Sequence, residues 1–138
     1  MSHVLVIDDS ENVRTSVKRM LESAGFQVSL ADDGEEGVSL FREERFDLVI
    51  SDVVMPRKDG LQTVREIREM SPDIPIVLMS KDSYFGSEGP DAANSFLPEA
   101  KEVGATRAIA KPFSRDNLLK VVGESVIDSS KRLFAEVG

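Results

Sequence analysis

Leu48-Val49-Ile50-Ser51-Asp52-Val53-Val54-Met55-Pro56 is the stretch whose reading decides the fold. The apolar run reads as a buried strand, and Pro56 marks a turn soon after it. Asp52 then closes a buried strand. An ionised carboxylate in such a place is costly unless a cation or hydrogen bonds compensate it. The tips of strands in open parallel sheets are also where such folds bind their ligands.

Working outward, strand and helix alternate five times. Val4 to Asp8 is a short apolar run ending in acid. Val13, Val17, Met20, Leu21 and Ala24 recur at helical spacing, and Gly25 supplies a stop. Phe26 to Ala31 reads as the second strand. Asp33-Gly34 turns the chain into a short helix marked by Val38 and Phe41. Asp47 to Ser51 is the third strand, and Asp59-Gly60 opens a helix carrying Leu61, Val64 and Ile67. Ile74 to Met79 is the fourth strand and Thr106 to Ala110 the fifth. Ser114 caps a last helix carrying Leu118, Leu119, Val122 and Val126. Strands rich in Val, Ile and Leu between helices predict an α/β fold, a doubly wound five-stranded parallel sheet with helices on both faces.

In such a sheet all C-terminal strand ends share one edge. Asp8-Asp9, Asp52, Ser80 and Lys111-Pro112 all fall there. Taken singly, each has an ordinary reading. Asp8 and Asp9 suit a helix N-terminus, Asp52 suits a turn, Ser80 a strand end, and Lys111 the surface. Taken together, three clustered carboxylates need a cation, and magnesium suits an all-oxygen site. An aspartate neutralised by metal can attack phosphorus and form an aspartyl phosphate. Ser80 could hydrogen-bond a phosphoryl oxygen, and Lys111 could add a point charge to the same group.

These residues resemble a known family. Val4-Leu5-Val6-Ile7-Asp8-Asp9, Asp52 followed by Met55-Pro56 and Asp59-Gly60, Gly104-Ala105, and Lys111-Pro112-Phe113 are similar to the motifs of the receiver domain of two-component response regulators, in order, from about Val4 to Val126. The resemblance implies the flavodoxin-like receiver fold, with Asp52 accepting a phosphoryl group from a histidine kinase or phosphotransfer protein. It implies Mg2+ held by Asp9 and Asp52 directly and by Asp8 mainly through water, with the backbone carbonyl of Val54 completing the ligands. Ser80 would be the hydroxyl switch residue and Lys111 the partner of the phosphoryl group. The Lys111-Pro112 bond is similar to one that is cis in the family. The domain is then a phosphoryl acceptor rather than a conventional enzyme, working through protein contacts with a downstream target or with a second copy of itself. Two other classes fit these residues less well. A phosphohydrolase of the haloacid-dehalogenase type needs Asp-x-Asp after the first strand, where this chain has adjacent acids. A receiver-like adaptor acting without phosphorylation has no need of all five site side chains.

Three features depart from the family pattern. The segment Lys81 to Leu97, with Tyr84, Phe85, Gly86, Gly89 and Pro90, is long for its place, and Pro98 favours a short helix up to Val103. Lys81 stands where the family has a small residue. Ala108 stands where the family has a Tyr or Phe ring that moves on phosphorylation, so readout is expected through the 81–97 segment instead. Val54, two residues past Asp52, is apolar and cannot hold a hydrolytic water by hydrogen bonding.

Composition bounds the rest. The chain has 138 residues and a formal charge of −8. One domain is expected over 1–138, its core about 4–126, with a helical extension about 127–138. The acidic balance argues against direct nucleic-acid binding. Without cysteine, disulfides and thiolate metal sites are excluded. The single histidine, His3, excludes Ser-His-Asp chemistry and is expected at the surface or a sheet edge. No run approaches the roughly 18 apolar residues of a membrane span. No secretory signal is read at the N-terminus, so a cytoplasmic location is the expectation.

Overall fold

The computed structural model describes residues 2–53, 60–81, 101–102 and 104–137, with side chains described except for Lys81 and 128–137. The elements are β1 (His3–Ile7), α1 (Glu11–Glu22), β2 (Gln27–Ala31), α2 (Gly34–Glu43), β3 (Leu48–Asp52), α3 (Gly60–Met70), β4 (Ile76–Lys81), β5 (Arg107–Lys111) and α4 (Arg115–Val137). The five strands form one parallel sheet in the order β2-β1-β3-β4-β5. The predicted doubly wound α/β architecture is therefore the one observed.

Side-chain alternation along each strand divides the core in two. Leu5, Ile7, Val49, Ile76 and Leu78 pack with Val38 of α2 and Val64 and Ile67 of α3. Val4, Val6, Leu48, Ile50, Val77, Met79 and Ile109 pack on the other face with Val17 and Leu21 of α1 and Leu118 and Val122 of α4. Caps set the helix starts. Ser10 Oγ accepts from the Val13 amide, Asp33 Oδ1 from the Glu36 amide at 2.9 Å, and Ser114 Oγ from the Asn117 amide at 3.1 Å. Ser10, rather than Asp8 or Asp9, caps α1, which leaves both acids for the sheet edge. Gly25, at φ 92, ends the α1 turn in the left-handed region that glycine tolerates.

Several boundaries differ from expectation. β4 begins at Ile76, because Pro75 has no N–H for the ladder and contributes only its carbonyl, which accepts from Val49. The strand then runs on through Ser80 to Lys81, which pairs with Lys111 of β5. Lys81 is thus a strand residue, not the first of a loop. His3 is not on an edge strand, since β1 pairs with both β2 and β3. It is half-buried, with its ring between the Arg45 carbonyl at 3.1 Å and Ser29 Oγ at 2.7 Å. The expected C-terminal helical extension is continuous with the last helix, and Gly123 sits inside it facing open space.

Arg68 of α3, which sequence reading passed over, ties the starts of β4 and β5 together. Its guanidinium donates to the carbonyls of Ser71, Pro72 and Ile74, and to Gly104 through Nε at 3.0 Å and Nη2 at 2.6 Å. Lys101 and Glu102 are helical. The rest of the expected 81–97 segment and the Pro98 helix lie outside the described residues.

Candidate functional site

The register fixes which residues share the C-terminal edge. Ile7 pairs with Ser51 and Asp52 with Met79, so Asp8, just past β1, lies beside the end of β3. Asp52 is the last residue of its strand rather than the first beyond it. Carboxylate oxygens of Asp8, Asp9 and Asp52 all lie within 4.8 Å of one another. Asp8 is fully buried, Asp52 is 8% exposed, and Asp9 faces solvent.

Lys111, at the end of β5, reaches into this cluster. Its Nζ is 2.6 Å from Asp8 Oδ2 and 3.5 Å from Asp52 Oδ2. The Lys111-Pro112 bond is cis. The remaining oxygens are held by backbone: Asp8 Oδ1 accepts from Ser10 N at 2.8 Å, and Asp52 Oδ1 from Val53 N at 2.9 Å. Ser80 is buried on β4 one strand away, opposite Ala110. Ala108 is partly buried against the core layer under α2 and α3. The structure brings together Asp8, Asp9, Asp52 and Lys111, and sets Ser80 on the adjoining strand end. The Val54 carbonyl and the Met55-Pro56 turn lie outside the described residues.

Gly60 is a site residue that sequence reading saw only as a helix start. Its amide donates to the Val53 carbonyl at 2.8 Å, and a Cβ there would run into the Asp52 carbonyl oxygen and lie 2.7 Å from Val53 Cα. The first turn of α3 is therefore pressed on the backbone that carries Asp52. A glycine at the head of a helix does not reveal this without the packed neighbour.

The electrostatics suit a cation. Burial pushes the Asp52 carboxyl up from 3.8 to about 6, against the pull of Lys111 and with Asp8 and Asp9 adding to the rise. One lysine does not balance three carboxylates, and clustered carboxylate oxygens with one ligand open to solvent are a donor set that suits Mg2+. The folded state holds the Asp52 proton more tightly than the unfolded chain does. Metal-free stability should therefore fall as pH rises from about 4 to about 6. Asp52→Asn removes that penalty. In chelator at pH 7.5 it is expected to be about 1–2 kcal/mol more stable than wild type, allowing for screening by water at the cleft mouth. Below about pH 4 the difference should vanish. Urea titrations at the two pH values check both statements.

An apolar groove lined by Val13, Ser16, Val17, Met20, Pro112 and Phe113 borders Lys111. Among the described residues no helix is long and apolar enough to cross a membrane.

The model of the response regulator receiver domain matches residues 4–123. The response regulator MprA of Mycolicibacterium vanbaalenii is 38% identical over 117 residues, which is 84% of this chain and 46% of that protein. The chain thus spans about half the length of the curated relatives it matches. Among solved structures, the chemotaxis protein CheY4 of Vibrio cholerae is 34% identical with a TM-score of 0.76, covering 91% of this chain and 98% of its own. NtrX of Brucella abortus is 26% identical with a TM-score of 0.84, covering 99% of this chain and 29% of its own.

Proposed function

The chain belongs to the response regulator receiver family, and from that premise we propose that Asp52 accepts a phosphoryl group from the phosphohistidine of a kinase or phosphotransfer protein. The carrying observation is the convergence of three carboxylates and Lys111 at one sheet edge. With its carboxyl at about 6, Asp52 is mostly ionised at neutral pH and available as a nucleophile. A carboxylate oxygen bonds to phosphorus as the bond from phosphorus to the donor nitrogen breaks, and the leaving imidazole takes up a proton.

In this reading Asp9 and Asp52 would hold Mg2+ directly and Asp8 mainly through water, with the Val54 carbonyl as the further protein ligand that the family resemblance implies. When bound, Mg2+ offsets the charge of the carboxylates and of the incoming phosphoryl oxygens. Lys111 supplies a second positive charge to the phosphoryl group, and the Ser80 hydroxyl donates to one of its oxygens. The groove beside Lys111 offers apolar surface to the donor protein. The phosphorylated domain then signals by altered contacts with a target protein, so the chain is an acceptor that assists its own phosphorylation rather than an enzyme with a separate substrate.

Acetyl phosphate with Mg2+ tests the reading by intact mass. Wild type is expected to gain the mass of one phosphoryl group, and Asp52→Asn none. An unmodified wild type, or an adduct that persists on Asp52→Asn, would overturn it.

A further inference from the structure

The Asp8 carbonyl stands just past the β1–β2 ladder, whose last bond here is from the Asp8 amide to the Ala31 carbonyl at 3.1 Å. Its oxygen accepts instead from Arg14, whose Nη1 lies 2.7 Å away. Arg14 is in the first turn of α1, with its own amide bonded to the Ser10 carbonyl at 3.0 Å. The guanidinium therefore folds back along the helix start and grips the strand end from which the helix sprang. With this bond, every polar atom of Asp8 is engaged: the amide, the carbonyl, Oδ1 by Ser10 and Oδ2 by Lys111.

The peptide that Arg14 grips joins Asp8 to Asp9. Among the described residues no hydrogen bond holds the Asp9 carboxylate, so its direction depends on the backbone on which it sits. We infer that Arg14 is a positioning residue for the metal site, pinning the Asp8–Asp9 peptide so that Asp9 points its carboxylate at the cluster it shares with Asp8 and Asp52. The inference rests on the reading of that cluster as a Mg2+ site.

The surroundings explain how a cation can stand here without working against the metal. Arg14 also faces Glu36 of α2, whose carboxyl is raised chiefly by its hydrogen bond with Asp32 and next by burial, while Arg14 pulls it down. The charge of Arg14 is thus partly met from the α2 side, and its short contact with the site is to a carbonyl rather than to a carboxylate. Removing a hydrogen bond that orients a metal ligand typically weakens metal binding by about 10- to 100-fold.

The sign of the change on removing the guanidinium separates the explanations. Mg2+ is titrated calorimetrically into wild type, Arg14→Met and Arg14→Lys, without any phosphoryl donor. Hydrogen exchange at the Ser10 amide is followed in chelator. Arg14→Met is expected to bind Mg2+ about tenfold more weakly and to exchange the Ser10 proton faster. Arg14→Lys, which keeps a long side chain with a terminal donor, is expected to recover most of the affinity. Tighter Mg2+ binding by Arg14→Met would mean that the arginine acts only as a repelling charge, and would overturn the inference. Unchanged binding with lowered thermal stability would reduce Arg14 to a fold contact and overturn it equally. If Arg14→Met fails to fold, Arg14→Lys decides, and a loss of affinity at least as large as that expected of Arg14→Met would sink the idea. Failure of wild type to bind Mg2+ would overturn the metal reading itself, and this inference with it.

Discussion

Gly60→Ala is expected to destabilise the protein by about 3 kcal/mol or more and to displace Asp52 from its neighbours. The added methyl would meet the Asp52 carbonyl oxygen, Val53 Cα at 2.7 Å and the Asp52 carbonyl carbon at 2.9 Å. All three are backbone atoms, so no rotamer change relieves the clash. Either α3 moves off the sheet or the end of β3 moves, and the second shifts Asp52 against Asp8 and Asp9. Loss of the packing of Val64 and Ile67 under α3 would accompany the first. Urea titration measures the cost. Gly123→Ala serves as its control, because a methyl there meets nothing within 4 Å and the site is helical. That substitution should stabilise by up to about 1 kcal/mol. Equal, small effects at the two glycines would show that the close approach at Gly60 does not matter.

Lys111→Met should cost the metal-free protein about 3 kcal/mol at neutral pH. Lys111 is 15% exposed and Asp8 not at all, so the substitution leaves a buried carboxylate without its cation. Asp52, already raised by burial and by its acidic neighbours, loses the charge that held it down, and its carboxyl should rise above about 6. Methionine fills similar volume, which keeps the loss electrostatic rather than a cavity effect. A divalent cation added to the three carboxylates should restore part of the stability. Urea titrations with chelator and with Mg2+ test this. Loss of stability that Mg2+ leaves untouched would show that Lys111 matters for packing alone.

The two residues differ in how far sequence could carry them. Lys111 was legible, because a lysine before proline at a strand end gains a meaning once acids are predicted on the same edge. Gly60 was legible only as a helix start, since its role depends on how closely α3 settles against Asp52 and Val53. Arg14 and Arg68 escaped for a related reason. Each donates to carbonyls that secondary structure leaves unpaired, and which carbonyls those are follows from where the ladder stops. The strand-end errors were of the same kind. Lys81 reads as the first residue of a loop, yet lies in β4 because β5 runs far enough to pair with it.

The sequence by itself determined the architecture and the chemistry at its edge. Alternating strand and helix patterns dictate a covered parallel sheet, and a parallel sheet brings its C-terminal ends together whatever the details of packing. Acids at the ends of β1 and β3 and a lysine at the end of β5 therefore had to share one edge, while the strand order β2-β1-β3-β4-β5 decided how close they come. Only the tertiary structure decided the geometry. Register set Asp8 beside the end of β3, burial raised Asp52, and Lys111 settled 2.6 Å from Asp8 and 3.5 Å from Asp52. The Gly60 contact and the Arg14 hydrogen bond join elements whose separation no local pattern encodes. Periodicity tells which face of an element is buried, whereas ångström-scale distances follow from how several elements pack at once.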